Sequence, residues 1–148
     1  HGVYSHRPQP IIDGSWDIIT NFSDRHLGSR PPAYVSPEAE IDCALFSPGC
    51  RIAGTVRNSI LSPGVTVAPG AVVDHCIVFH DVKIGPDCRL QYAIIDKDVV
   101  LSAVSSVGVP TGEALPDPRP ITVVPKSYEL APGEVVEPGA KLAVPNLM

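Results

Sequence analysis

Apolar residues recur along this chain at a spacing of six. They stand at Leu61, Val67, Val73 and Phe79, then at Ile84 and Leu90, then at Ile95, Leu101 and Val107. Phe79 to Ile84 and Leu90 to Ile95 are steps of five; the others keep the count. Four positions after a starter there is often a small or β-branched residue: Val65, Ala71, Cys88, Val99, Ser105 or Thr111. Pro-Gly follows at the third and fourth places of the hexads that begin at Leu61, Val67, Leu130 and Val136. Proline sets φ for the first central position of a type II turn, and glycine takes the positive φ at the second. Short strand, Pro-Gly turn, short strand predicts a β-solenoid. One coil cannot bury its own apolar side chains, but coils stacked about 4.8 Å apart enclose a filled interior.

The rhythm breaks twice. An earlier series, Val35, Ile41, Phe46 and Ile52, is out of phase with the later one, because the step from Ile52 to Leu61 is nine. A short rung or a bulge would absorb that difference. The second break runs from about 108 to 122 and holds Pro116-Asp117-Pro118-Arg119-Pro120, which reads as an excursion loop. The period then resumes at Val124, Leu130, Val136 and Leu142. Residues 35–148 are therefore expected to form one solenoid. Residues 1–34 show no hexads and have the composition of an interdomain linker, stiffened at its end by Pro31-Pro32.

Composition agrees with narrow interior layers. Hydrophobic residues make up 44% of the chain but aromatic ones only 5%, so the core must be built from Val, Ile, Leu and Ala. A net charge of −5 argues against nucleic acid or an anionic membrane as the main partner. No apolar run approaches the ~18 residues of a membrane span and no signal peptide is visible, so a cytoplasmic protein is expected. Cys43, Cys50, Cys76 and Cys88 form no C-x-x-C pair and are expected to be buried free thiols. Met148 is the only methionine, so the chain is expected to be a fragment of something longer.

Candidate chemistry is sparse. There is no Gly-rich phosphate loop, and Gly64, Gly70, Gly133 and Gly139 are accounted for by turns, so no catalytic residue is assigned. His75 and His80 have a spacing that could set imidazoles on neighbouring rungs. A zinc site needs a third good ligand, however, and no third histidine lies close, so no metal site is assigned. His80 as the general base of a free-standing hexapeptide-repeat acyltransferase, or a β-helix metalloenzyme, is the alternative reading. Asp74, Asp81, Asp87, Asp96 and Asp98 fall at hexad corners, where carboxylates cap turns.

Four segments carry a more specific likeness. Asp13-Gly14-Ser15-Trp16-Asp17-Ile18-Ile19-Thr20 resembles the D-x-x-W-x-I-x-T segment that joins catalytic domain to β-helix in glucose-1-phosphate adenylyltransferases. Pro31-Pro32-Ala33 is similar to that family's first-coil opening, and Ser47 to Leu61 resembles its S-x-G-C-x-I-x-G-x-V-x-x-S-V-L stretch. Tyr92-Ala93-Ile94-Ile95-Asp96-Lys97 resembles its A-I-I-D step, whereas the region after Val107, with Ile121 to Lys126, departs from the better-known enzymes and resembles family variants that include close non-catalytic partner subunits. The resemblance implies a left-handed parallel β-helix, C-terminal in an enzyme that makes ADP-glucose and pyrophosphate from ATP and glucose 1-phosphate for glycogen synthesis. It places the chemistry and its magnesium in a separate N-terminal domain, with no cofactor in this part. It assigns the β-helix to oligomerisation, in homo- or hetero-oligomers, and to control by phosphorylated metabolites or nucleotides. Arg25, Arg30, Arg51 and Arg57 are the candidate effector ligands, since guanidinium forks match phosphate.

Overall fold

The computed structural model describes residues 30–112 and 114–143. Most of the expected linker, with the Trp16 segment, lies outside the described residues. Among those described there is no helix, and so none long and apolar enough to cross a membrane. Every pairing between strands is parallel, and the chain climbs in triangular coils. The first side stacks Tyr34–Val35, Arg51–Ile52, Thr66–Val67, Lys83–Ile84, Val100–Leu101 and Glu129–Leu130. The second runs from Glu40–Asp42 through Thr55–Arg57 to the start of Val72–Val78 and of Arg89–Ile95, then Ser106–Val107 and Val135–Val136. Those two seven-residue strands bend and continue onto the third side. There they join Leu45–Phe46, Ile60–Leu61 and Thr122–Val124. The expected hexapeptide-repeat β-solenoid is thus the observed architecture.

The period of six is one side of a triangle, and register shows why five intrudes. Thr66 pairs with Lys83 and Lys83 with Val100, so a regular coil is two steps of six and one of five. Two corners are four-residue turns, while the second is a single residue in the left-handed region: Cys43, Asn58, His75 and Tyr92, with φ between 46° and 52°. The short step therefore runs from Val73 to Val78 and not from Phe79 to Ile84. Leu61, Val78 and Ile95 are partners in register and fully buried, whereas Phe79 is 36% exposed. Phe79 was expected inside; it lies at the rim, because the tight corner brings Val78 inward one residue early. Thr111 is likewise outside the core, within the excursion loop, and Thr122 takes the corresponding buried place.

The wide step from Ile52 to Leu61 belongs to a shortened coil. Arg51 pairs with Thr66, sooner than the regular coil requires, because Ala53-Gly54 replaces the four-residue corner that Ala68 to Ala71 forms above it. The shortcut draws the backbones together. A Cβ on Gly54 would lie 2.5 Å from the carbonyl oxygen of Ala71 and 2.7 Å from that of Ala68, so only glycine fits there. The long coil is the reverse case: Val100 finds its next partner only at Glu129, far later than the regular repeat would place it. The excess is the loop from Gly108 to Ile121, inserted at the second corner.

The inner rows form one continuous core, including Ile52, Leu61, Ile84, Leu90, Ile95, Leu101 and Leu130, each at 1% exposure or less. Aspartates stand in for glycine at several corners. Asp81, Asp87 and Asp98 have φ between 57° and 59°, a conformation Asp tolerates better than most residues. Asp96 instead accepts the Lys97 amide at 2.7 Å. Three of the cysteines are buried free thiols, but Cys43 is exposed, since it occupies the second corner of the lowest coil. Burial pushes the Cys76 thiol up to about 12 and raises that of Cys50. Both thiols donate to backbone carbonyls, Cys76 to Asp74 and Cys50 to Ser62, each at 3.2 Å.

Candidate functional site

The polar groups that the fold brings together lie on the third corner, where the third side passes into the first. Successive turns place Gly49, Gly64, Asp81 and Asp98 there in a column, each in the left-handed region. Arg30 runs along this column. Its stem passes Gly49, its guanidinium lies against Gly64, and a Cβ on either glycine would press on it. Past the second glycine it reaches Asp81, donating Nη1 to Oδ1 at 2.9 Å and Nη2 to Oδ2 at 3.0 Å. His80 Nδ1 lies 3.0 Å from the same Oδ2. One arginine therefore clamps two coils from below.

The electrostatics follow from this geometry. Burial pushes the Asp81 carboxyl up, but the bonds to Arg30 and His80 outweigh it and hold the group below the usual carboxylate range. The Asp81 hydrogen bond in turn raises Arg30 above its ordinary value. Among the described residues His80, Asp81 and Asp98 form a trio whose ligand atoms lie within 4.8 Å of one another. Both Asp81 oxygens accept from Arg30 and one also meets His80, so the Asp81 charge is already matched by a cation of the chain itself. The ion pair at this turn is the one between Arg30 and Asp81; Asp98 meets the trio through its backbone amide, which donates to the His80 carbonyl at 3.1 Å.

The other candidate arginines lie elsewhere. Arg51 points outward from the first side with its guanidinium 5.7 Å above the Tyr34 ring. Arg57 projects from the second side, in register between Asp42 and Asp74. Arg25 lies outside the described residues. Arg30 and Arg51 thus occupy a corner and the side it leads into, and Arg57 is on another side. His75 and His80 are also apart: they flank the third side on one coil and do not sit on neighbouring rungs. His75 Nδ1 lies 2.7 Å from Asp74 Oδ1, and the ring stacks on Tyr92 of the next coil, centroids 4.6 Å apart and planes 4° from parallel.

That stack leads to a residue the sequence did not single out. Arg119, from the excursion loop, lies 4.2 Å over the Tyr92 ring and donates to Gln91 Oε1 at 2.7 Å. The loop is therefore pinned back onto the second corner. The signal available was an arginine inside a Pro-rich run, which says nothing about where it docks.

Known proteins share this repeat. A family model described as "GlmU-like, C-terminal hexapeptide" matches residues 33–118. The chain is 43% identical over 100 residues to the glucose-1-phosphate adenylyltransferase of Corynebacterium jeikeium, covering 67% of this chain and 24% of that protein. It is 29% identical over 113 residues to the enzyme of that name from Desulforamulus reducens, covering 76% and 28%. The enzyme of that name from Acetivibrio thermocellus matches at 32% over 107 residues, covering 72% and 24%. The chain thus spans about a quarter of the length of these relatives. Among solved structures, the acetyltransferase domain of PglB from Neisseria gonorrhoeae in complex with acetyl coenzyme A aligns at 22% identity. That alignment covers 76% of this chain and 54% of that one, with a TM-score of 0.45.

Proposed function

The chain belongs to the GlmU-like, C-terminal hexapeptide family, and from that premise we propose that it is the C-terminal solenoid of a glucose-1-phosphate adenylyltransferase. The reading is supported above all by the 100-residue alignment at 43% identity to an enzyme of that name. In it, ADP-glucose and pyrophosphate are made from ATP and glucose 1-phosphate in an N-terminal domain that also holds the magnesium. The solenoid assembles subunits in the cytoplasm and takes a phosphorylated metabolite or nucleotide as effector for glycogen synthesis. Arg25, Arg30, Arg51 and Arg57 are the proposed effector ligands. For Arg30 this has a physical consequence: Asp81 already occupies two of its donors, so a phosphate either shares the guanidinium with that carboxylate or competes with it.

The test uses ADP-glucose formation from ATP, glucose 1-phosphate and magnesium. These 148 residues alone form none. A longer protein, in which the chain follows an N-terminal nucleotidyltransferase domain, forms it and loses its response to phosphorylated effectors when the solenoid is removed. Sustained turnover by the 148 residues contradicts the reading, as does an in-frame stop codon close upstream of His1.

A further inference from the structure

The outward row of the third side is apolar from its lowest rung up to Val123, above which Lys141 bridges Val123 and ends the apolar run. Leu45, Ile60, Ile77, Ile94 and Val123 are successive partners in register, and the first three are 53%, 48% and 42% exposed. A solenoid needs only its inward row to fold, so this outward row has no role in the coil itself. At its lower end the side carries a depression of about 480 Å³ lined by Cys43, Ala44, Leu45, Asn58, Ser59 and Ile60. Beneath it, among the described residues, Leu45–Phe46 pairs only upward, with Ile60–Leu61, leaving one strand edge open.

The size of the face bears on what covers it. Five rungs at about 4.8 Å and a side roughly 10 to 15 Å across give a patch of roughly 240–360 Å². A stable interface between separate proteins buries about 800 Å² on each partner. This patch is too small to hold a second copy by itself, but ample for a segment tethered to the same chain, for which association costs little.

The tether is in place. Gly49 donates to the Pro31 carbonyl at 2.7 Å, and the Arg30 stem lies beside Gly49, so the chain comes in at the corner that bounds the third side. In the sequence ahead of Arg30, the apolar stretch is residues 10–22. It carries Ile11, Ile12, Trp16, Ile18, Ile19 and Phe22, with Asp13 and Asp17 as its charged residues. Seven residues separate Phe22 from Arg30. Extended, they reach about 23 Å, enough to travel the whole ladder. We propose that residues 10–22 dock on the third side and cover the row from Leu45 to Val123.

Trp16 is the only tryptophan, so its fluorescence reports on this segment alone. In the 148-residue chain its emission is blue-shifted from that of free tryptophan and protected from acrylamide, independently of protein concentration. Ile77→Lys and the milder Ile60→Thr shift it to the red and remove the protection, with the far-ultraviolet strand signal retained. Thr66→Lys, on the first side, leaves it unchanged. The proposal is overturned by solvent-like Trp16 emission in the parent chain, or by a blue-shifted emission that both third-side variants leave in place. It is equally overturned if the blue shift fades on dilution in step with dissociation in ultracentrifugation, which assigns the face to a second copy.

Discussion

The first and third sides of the solenoid are built on the same inward pattern and differ outward. Inward, Ile52, Val67, Ile84, Leu101 and Leu130 on the first side match Leu61, Val78, Ile95 and Val124 on the third, all buried. Outward, the first side shows Tyr34, Arg51, Thr66, Lys83, Val100 and Glu129, a mixed and mostly polar row. The third shows Leu, Ile and Val from Leu45 to Val123, with Lys141 capping the row at its top. Since the coil asks the same of both sides, the difference belongs to whatever meets them. The first side is suited to water and small ligands, and the third to an apolar cover.

The difference can be broken from the inside first. Leu90→Ala removes a fully buried side chain and leaves a void between coils, and should cost about 2–5 kcal/mol in denaturant unfolding. Ile77→Ala, on the outward row of the third side, should cost well under half of that, so a near-equal loss would erase the inward and outward distinction. Next in size is Gly54→Ala. The new methyl meets the Ala68 and Ala71 carbonyls at the shortened corner, with an expected loss of about 1–3 kcal/mol. Loss below a few tenths there would mean that the short coil can swell to the common length.

Smaller effects test the corners. Arg119→Ala removes the contact with Tyr92 and the bond to Gln91, and should cost about 1 kcal/mol or less. Its clearer sign is faster proteolysis between Gly108 and Ile121, with the remaining coils resistant. Asp81→Asn is the smallest, at most about 1 kcal/mol, because the carboxylate is 38% exposed and the pair is screened. Its pH dependence has a definite direction. The carboxyl is held below its unfolded value of about 3.9, so the pair stabilises the fold above that pH. That contribution fades as pH falls through the lower folded value. Parent and Asp81→Asn stabilities should therefore differ at neutral pH and converge in acid; a gap that widens in acid would contradict the assignment.

What could be read in the sequence was the inward row. A filled interior demands an apolar residue at each side of each coil, and that demand is periodic. Where two neighbours are both apolar, as at Val78 and Phe79, period alone cannot choose; the single-residue corner at His75 decides. The gap from Ile52 to Leu61 was visible, but its cause is a backbone approach at Gly54 that only stacking reveals. The candidate site was much less legible. Arg30 and Asp81 are far apart in sequence and meet only because the coils in between are thin and two glycines clear the path. The arginines were named by their charge, which carries no information about which side of the triangle each one faces. The outward row escaped notice for a similar reason. Leu45, Ile60, Ile77, Ile94 and Val123 are unevenly spaced along the chain, because they span the short coil, the regular ones and the long one. They become one line only in register.

The contrast between the two sides can be measured with one thiol at a time. In a Cys43→Ser background the remaining native cysteines are buried, so a maleimide reports only an introduced residue. Ile77→Cys places that thiol on the third side and Thr66→Cys on the first. The expected result is slow labelling of Ile77→Cys and fast labelling of Thr66→Cys in the 148-residue chain, with the two rates equal once the sequence ahead of Arg30 is removed. Equal rates in the full chain would show the third side open to water and contradict the account.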